Sequence, residues 1–578
     1  MKNRPDGGSI TNRSPAIGKY DIIFAVLLCL LTVVQVLRAR YGLDRADESF
    51  YPTLPLRFLQ GDVPVFHEWN LSQLFGILMV PIMWLYRLFG GTGEGIILNF
   101  RYIYVGFHTL SAIAIYLLLK KKSPLGALLA ALLYVPFSPG GIMALSYNSM
   151  GVGCLLLAGL VLAYDDASGK CRFFAGVLFA MAVLCSPYLL FLYLIWCVCL
   201  VIRAVRKKTR SELKALTVFT AGAAAVAAVI FATIFSRAGI RDILNMLPSI
   251  MNDPEHTYLN LWDQTKNFFF HLFVSRKIAL VSTAVTAVLL LALRLDKKRK
   301  EHLWLYVLGE SLITILHLVV FYFRYRYISY FMQPLTLLGL VCYYADDDRD
   351  RKVFRYVYLS GWFYAYTMVL SSNNFYEALT ASLTVSAAAS AFFAGKIAER
   401  LLRKPKDGKR IAAAVSAVGC AVLAFAFVLA CKLTYAHCTY FVRATFPTAM
   451  MDYTIDCGPA KGIRIYDNEY AAYMRRYEES APVRNAEGKN VLYITHDCWM
   501  ILADEKNNAS YSSWLSFVSE DSTLKKMTEY ERFHPEKNPD AVFIDKEIPT
   551  HPERFLSLVK TEDYTVEESE TAYVLVKK

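Results

Sequence analysis

Charged residues are scarce in this 578-residue chain, making up 19% of it against 55% hydrophobic residues. An ordinary soluble chain carries about a quarter charged residues, and a disordered chain is poorer in apolar residues than this one. The sequence also lacks any Cys-x-x-Cys pair, so a zinc or thioredoxin-type motif has little support although 12 cysteines are present. This composition excludes a disordered chain, a collagen-like chain and a small disulfide-rich secreted domain.

The sequence has instead a series of apolar runs, each close to the roughly 20 residues that a helix needs to cross a bilayer. The first run, 22–37, follows a basic start without a small-residue cleavage site, so we expect a retained anchor. Further runs lie at 99–119, 124–140, 142–164, 171–187, 188–203, 214–235, 278–294, 302–322, 328–344, 353–371, 375–395 and 411–431. The sequence therefore predicts a mainly α, polytopic membrane protein with about 13 transmembrane helices.

Lysine is nearly absent from one set of loops. If the N-terminus is cytoplasmic, the outer loops before residue 432 contain only Lys266 and Lys277, whereas the inner loops hold clusters of basic residues. Topology thus explains the net charge of +13, and we expect the inner loops to contact anionic lipid. The net positive charge therefore does not support a nucleic-acid partner.

One apolar stretch, 74–89, does not fit this alternation of loops. It is short, contains Pro81, and as a crossing it would place the three lysines at 120–122 outside. We therefore predict an interfacial helix over 74–89 within a first external loop at 41–97.

The composition changes after residue 431. Residues 432–578 contain no apolar run long enough to span a membrane. Strand-like segments at 490–495, 540–545 and 571–577 alternate with helical segments near 468–479 and 522–533. We predict a transmembrane domain over 1–431 and a small extracytoplasmic α/β domain over 432–578.

Three carboxylates follow the first predicted span. Asp44, Asp47 and Glu48 lie within LDRADESFYP, residues 43–52. Neighbouring negative charges raise proton affinity or recruit a cation, so the cluster suits a general base or a divalent-ion site. A solvated loop end is the alternative. A divalent cation stays open, because the spacing is not diagnostic of a metal.

These carboxylates, the interfacial helix and a second span that begins Asn99-Phe100-Arg101 resemble the GT-C superfamily of membrane glycosyltransferases. The resemblance is closest to the protein O-mannosyltransferase and aminoarabinose-transferase branch, and it covers about the first 430 residues. It implies a GT-C-like catalytic domain and a polyprenyl-phosphate sugar as donor, with inversion at the anomeric carbon. It also implies that Asp47 is the catalytic base and Glu48 its partner, and Arg101 matches an arginine of the mannosyltransferases.

Candidate substrate-binding residues are Asp44 and three residues in two other segments. His67 and Glu68 stand in VFHEWNLSQL, which is similar to the family's polar segment before the same helix but lacks its proline. They could bind acceptor or sugar, or join Asp47 at a metal ion. His256 lies in the external insert 247–262, where a turn built on Asn-Asp-Pro explains the residues equally well.

Three arginines are candidates for binding the phosphate of the donor, where negative charge accumulates as the sugar departs. Arg324 and Arg326 lie among aromatic residues in FYFRYRYISYF, at an outer junction of two spans. Interfacial snorkelling is the alternative for this pair. Arg101 heads an apolar run and needs a partner there, so pairing with Asp47 or Glu48 is its alternative to phosphate binding.

We therefore expect an integral-membrane glycosyltransferase, most simply in a bacterial plasma membrane. Its partners would be a polyprenyl-phosphate-linked sugar, membrane lipids and an extracytoplasmic glycan, lipid or protein acceptor. The alternative is a polytopic transporter or lipid-sugar flippase, which usually buries ionisable residues at mid-membrane. Few ionisable residues lie in the middle of the predicted spans of this chain, and Glu310 and His317 are the exceptions.

Overall fold

The computed structural model describes residues 18–165, 168–207, 211–252, 260–370, 379, 381–403, 407–439 and 443–578. Within these residues, eight helices are long and apolar enough to cross a membrane. The chain is therefore a mainly α, multi-pass membrane protein, as the sequence predicted, with a C-terminal part that contains a small sheet.

Seventeen of the described helices precede the sheet. They are α1 (Lys19–Arg38), α2 (Asp47–Gln60), α3 (Leu74–Leu88), α4 (Ile96–Leu119), α5 (Pro124–Tyr134), α6 (Tyr147–Tyr164), α7 (Gly169–Cys185), α8 (Leu190–Lys207), α9 (Ser211–Phe235), α10 (Ile240–Met251), α11 (Leu261–Phe269), α12 (Lys277–Leu295), α13 (Arg299–Arg324), α14 (Met332–Ala345), α15 (Leu359–Leu370), α16 (Thr384–Leu401) and α17 (Gly408–Thr434). A short turn of helix, Arg351–Val353, and a π-helical turn, Phe354–Tyr358, lead into α15.

Each of the thirteen predicted apolar runs overlaps one of these helices. Several helices are shorter than the runs that predicted them. The run 124–140, for example, forms α5 only as far as Tyr134. Pro136 and Pro139 follow. A proline has no backbone N–H to continue the helical hydrogen bonds, and Ser138, the residue before Pro139, is extended.

The first external loop folds as two packed helices. α2 contains Pro52 and Pro55 and ends at Gly61, whose φ of 117° favours glycine. α3 buries one side against α2 and exposes Trp84 and Leu88 on another. This two-sided helix is what an interfacial position requires, and its placement at the membrane surface stays a prediction.

The C-terminal part forms a mixed sheet with strand order β6-β5-β7-β9-β8. Its strands are β5 (Asn490–Ile494), β6 (Asn507–Asn508), β7 (Ala541–Asp545), β8 (Tyr564–Glu568) and β9 (Ala572–Lys577). Two small antiparallel pairs precede it, β1 (Tyr435–Thr439) with β2 (Arg443–Pro447) and β3 (Tyr453–Thr454) with β4 (Arg464–Ile465). Its helices are α18 (Asp467–Glu479), α19 (Ala481–Asn485), α20 (Trp499–Ala503) and α21 (Glu520–Phe533). The three predicted strand segments are thus β5, β7 and β9, and the two helical segments are α18 and α21.

The sheet region packs directly on the first external loop. Trp499 and Phe543 share one apolar core with Leu54 and Phe75 of that loop. Trp69 belongs to a second core with Tyr530 on the other side of the sheet region. The loop and the C-terminal part therefore fold together, and they meet the ends of α1 and α4.

A glycine pair brings α7 and α9 into close contact within the membrane part. A Cβ on Gly222 would overlap the carbonyl oxygen of Phe173, and one on Gly176 would overlap that of Phe219. Backbone atoms cannot move aside as the end of a flexible side chain can, so each position requires glycine.

We expect Gly222→Ala to lower the unfolding temperature of the purified chain, because overpacking costs about 1–3 kcal/mol. Gly419→Ala, in α17, is the control, since a Cβ there meets nothing within 4 Å. Thermal unfolding in one detergent compares the two variants. Equal unfolding temperatures would contradict this account of the α7–α9 contact.

Candidate active site

A small cavity lies where α1 and α4 meet the C-terminal part, and its empty space, including open solvent, is about 230 Å³. Arg38, Asp44, Glu48 and Arg101 line it together with residues 141–143. Asp44, Glu48 and Arg101 were predicted site residues, and they come from segments about 50 positions apart. The fold brings two carboxylates and two guanidinium groups to one place.

Arg101 and Glu48 form a two-point ion pair that is almost fully buried. Nε and Nη2 of Arg101 donate to the two carboxylate oxygens of Glu48 at 2.5 and 2.6 Å. The guanidinium also donates to the carbonyl oxygens of Ala39, Tyr41 and Gly42. Arg101 therefore fixes the chain between α1 and α2. This is the structural pairing that the sequence left open, and contact of Arg101 with a lipid phosphate stays a prediction.

The other two carboxylates stand at the start of α2. Oδ1 of Asp44 accepts hydrogen bonds from the backbone N–H groups of Ala46 and Asp47, at 3.0 and 2.9 Å. Asp44 is buried, whereas Asp47 is half-buried in the first turn of the helix. Glu48 is also buried, in its ion pair with Arg101. Asp47 is therefore the most accessible carboxylate of the three.

Arg38 is a lining residue that the sequence analysis missed. Its guanidinium donates to the carbonyl oxygens of Lys432, Tyr41 and Tyr435. Nζ of Lys432 lies behind this contact and donates to Oγ of Ser138 at 2.6 Å. The only sequence signal was a basic residue at the end of a span, which is common at a membrane edge.

Arg324 and Arg326 are exposed near the same place. Nη1 of Arg326 donates to the hydroxyl of Tyr435 at 2.7 Å, and the carbonyl of Tyr435 accepts from Arg38. Arg326 has a φ of 51°, a left-handed conformation that is uncommon outside glycine and often marks a functional site. Neither arginine has a carboxylate partner among the described residues.

Glu68 lies in a different place, in a network around Arg57. The two side chains are fully buried and Nη1 of Arg57 donates to Oε2 of Glu68 at 2.7 Å. Nε of Arg57 donates to Asp62 at 2.7 Å, and Ser513 donates to Glu68 from its backbone and hydroxyl. Glu68 thus attaches the first external loop to the C-terminal part. A direct role in substrate binding stays a prediction.

His67 lies beside that network and not beside the cavity. Its Nδ1 accepts from the backbone N–H of Val63 at 2.8 Å, so the proton of the neutral ring is on Nε2, which faces Glu536. His67, His534 and Glu536 are the one group in the described part of the chain whose ligand atoms are close enough to share a metal ion. A protonated Nε2 cannot coordinate a metal, so the arrangement fits a hydrogen bond better. His256 lies outside the described residues.

A second buried ionic network joins the loop to the C-terminal part. Arg45, next to Asp44, pairs with Asp497 at 3.2 Å, and Arg476 pairs with the other oxygen of Asp497 at 3.1 Å. Arg476 also reaches Asp545, at the end of β7. No local sequence pattern indicates these contacts, because Arg45 and Asp497 are 452 positions apart and Arg476 and Asp545 are 69 positions apart.

Comparison with known proteins gives two similar solved structures. No protein family matches the sequence, and no curated protein matches it. The archaeal oligosaccharyltransferase AglB from Archaeoglobus fulgidus, solved with an inhibitory peptide and a dolichol-phosphate, is 12% identical with a TM-score of 0.43. The alignment covers 96% of this chain and 74% of that one.

ArnT from Cupriavidus metallidurans, solved with undecaprenyl phosphate, is 14% identical with a TM-score of 0.40. Here 96% of this chain and 97% of that chain are covered. Both similarities are distant. At these identities and TM-scores, they assign no residue role, substrate or activity to this chain.

Burial lowers the pKa of His67 from 6.5 to about 4. The carboxylate of Asp62 opposes this shift, and the positive charges of His534, Lys537 and Arg57 add to it. Between these two pH values the unfolded chain binds a proton that the folded chain does not. The contribution of His67 to stability is therefore complete above pH 6.5 and is lost as the pH falls towards 4.

The unfolding temperature of the wild type should fall more steeply between pH 7 and pH 4.5 than that of His67→Gln. The shift corresponds to about 3 kcal/mol at most. Lys489→Gln, at an exposed position of the same part, should retain the wild-type slope. If the unfolding temperatures of His67→Gln and the wild type fall by the same amount between pH 7 and pH 4.5, His67 does not contribute to the acid sensitivity.

Proposed function

We propose that this chain is an integral-membrane glycosyltransferase that moves a monosaccharide from a polyprenyl-phosphate donor to an acceptor hydroxyl. The supporting observation is the cavity in which Asp44 and Glu48 meet Arg38 and Arg101 at the ends of two spans. Sugar transfer from a lipid phosphate needs a carboxylate to accept a proton and cations to stabilise the departing phosphate. This cavity and its surroundings contain both.

Asp47 is the general base in this proposal. Its carboxylate takes the proton of the acceptor hydroxyl as the acceptor oxygen bonds to the anomeric carbon. The bond from that carbon to the phosphate oxygen breaks, and polyprenyl phosphate leaves with the bonding electrons. A single displacement of this kind inverts the configuration. Glu48, held by Arg101, fixes the first turn of α2, which carries Asp47.

Arg324 and Arg326 bind the donor phosphate. They are exposed, they lack carboxylate partners among the described residues, and Arg326 is connected to the cavity through Tyr435. Arg101 adds positive charge at the cavity wall while it positions Glu48. Asp44, which also lines the cavity, is the proposed contact for substrate hydroxyls.

The acceptor approaches from the side of the C-terminal part, which we place outside the cytoplasm with the N-terminus inside. The basic loops support this orientation, since they follow the ends of spans that point away from the sheet region. The polyprenyl tail of the donor would remain in the adjoining leaflet.

Transport of a lipid-linked sugar is the second candidate, and one observation favours it. Glu310 and His317 are fully buried on α13, and Thr286 lies 2.9 Å from Oε1 of Glu310. Oε2 of Glu310 and both ring nitrogens of His317 have no hydrogen-bond partner within the described residues. Buried ionisable groups inside a span are a default sign of a functional path. A transporter would lose activity in Glu310→Gln, whereas the proposed transferase would retain it.

Asp47→Asn should reduce transfer from a labelled polyprenyl-phosphate sugar by about 10²–10⁴-fold, because general-base catalysis contributes that much. The reduction should appear in kcat, with the unfolding temperature unchanged. Glu487→Gln, at an exposed carboxylate of the C-terminal part, should retain full activity. Undiminished turnover in Asp47→Asn would remove Asp47 from the mechanism.

The double variant Arg324→Gln/Arg326→Gln should raise the KM for the lipid donor by about tenfold or more, since a hydrogen bond to a charged group contributes roughly 1.5–3 kcal/mol. kcat should change less, because the base is untouched. Arg40→Gln removes an exposed arginine nearby that contacts Tyr102 and should leave KM unchanged. Equal KM values in both variants would exclude the pair from donor binding.

A further inference from the structure

A second cavity lies at the other end of the membrane part, and its empty space, including open solvent, is about 670 Å³. It opens between α6, α7, α8, α9 and the π-helical turn Phe354–Tyr358. Its ionisable lining residues are Arg172, Glu212 and Arg355, and most of the remaining surface is apolar or aromatic. The proposed transfer reaction does not use it.

The position of the charged groups identifies the membrane face to which the cavity belongs. Arg172 lies in the first turn of α7, and Arg355 lies one turn after the helix start that Asp350 caps. Lys122 pairs with Asp350 at 2.6 Å, at the end of α4. The other end of α4 meets the C-terminal part, where the backbone N–H of Ile97 donates to Pro459. The arginines are therefore at the face opposite to the candidate active site.

The apolar lining extends away from these arginines along two helices. It runs between Tyr193 and Leu200 on α8 and between Glu212 and Phe219 on α9. Seven residues of helix are about 10 Å long. The cavity is therefore an elongated apolar groove with its cationic end at the membrane surface, and Trp196 lies along it. An acyl chain has this shape and chemistry.

The charges of the groove select an anion. Arg172 and Arg355 are half-buried and have no carboxylate partner in the part of the chain that the structure describes. Glu212 is engaged in a contact of its own. A guanidinium at the edge of an apolar groove is costly without a counter-charge, and its planar fork matches a phosphate. Two such groups on one groove favour a phosphate ester with an apolar tail.

We propose that this groove binds an anionic glycerophospholipid from the leaflet opposite to the C-terminal part. The phosphate contacts Arg172 and Arg355, and one acyl chain lies along Trp196 and Phe219. A bound lipid would connect α7 and α9 to the turn at 354–358. This site is separate from the proposed donor site in position and in ligand.

Native mass spectrometry of the purified full chain tests the proposal, with titration of phosphatidylglycerol and of phosphatidylcholine carrying the same acyl chains. We expect the first bound phosphatidylglycerol to have at least tenfold higher affinity than phosphatidylcholine. Arg172→Gln/Arg355→Gln should remove this preference. Glycerol phosphate at the same concentration should not compete, because it lacks the acyl chains.

Lys170→Gln/Lys214→Gln is the matched control, since it removes two exposed charges from the same face without touching the groove. Its affinity should stay within twofold of the wild type. Leu200→Trp, which fills the groove and changes no charge, should also weaken phosphatidylglycerol binding by tenfold. This variant tests the groove if the arginine variant does not fold. Equal losses in the lysine and arginine variants, equal affinity for the two lipids, or wild-type binding by Leu200→Trp would overturn the proposal.

Discussion

The ion pair between Arg101 and Glu48 is the contact on which the arrangement of the candidate site depends. A guanidinium buried at the end of a membrane span needs a counter-charge and acceptors for its remaining donors, and breaking such a pair leaves an uncompensated charge at a cost of about 3–5 kcal/mol. Arg101 meets this requirement with Glu48 and with carbonyl oxygens of the chain that leaves α1. One consequence is that α2 must begin at this point, so Asp44 and Asp47 are placed at the membrane edge beside the cavity.

The C-terminal part is an integral component of this site and not an appended module. Arg57 and Glu68 secure it through Ser513, and Arg45 secures it through Asp497. Both networks are buried and both start from the first external loop. Movement of the C-terminal part would therefore disturb the loop that presents Asp47. The two apolar cores that the loop shares with the sheet region hold these parts together as well.

Local patterns in the sequence predicted much of the fold, because apolar run length and strand alternation are local properties. The same reasoning identified Asp44, Glu48 and Arg101 as neighbours, since each lies next to a predictable span end. It did not identify the environment of Glu68, whose carboxylate contacts Ser513 across 445 positions. Nor did it identify Arg38, because a basic residue at the end of a span is common. The roles of Asp47, Arg324 and Arg326 stay proposals, which rest on the chemistry of these side chains.

The central claim is that a lipid phosphate binds beside the carboxylates at the face that carries the C-terminal part. An electron cryomicroscopy map of the full chain in a nanodisc with polyprenyl phosphate tests it most directly. We expect phosphate density in contact with Arg324 or Arg326, at the opening of the cavity that Glu48 and Arg101 line. Phosphate density at the opposite face, or a bound phosphate remote from all three carboxylates at the start of α2, would contradict the account.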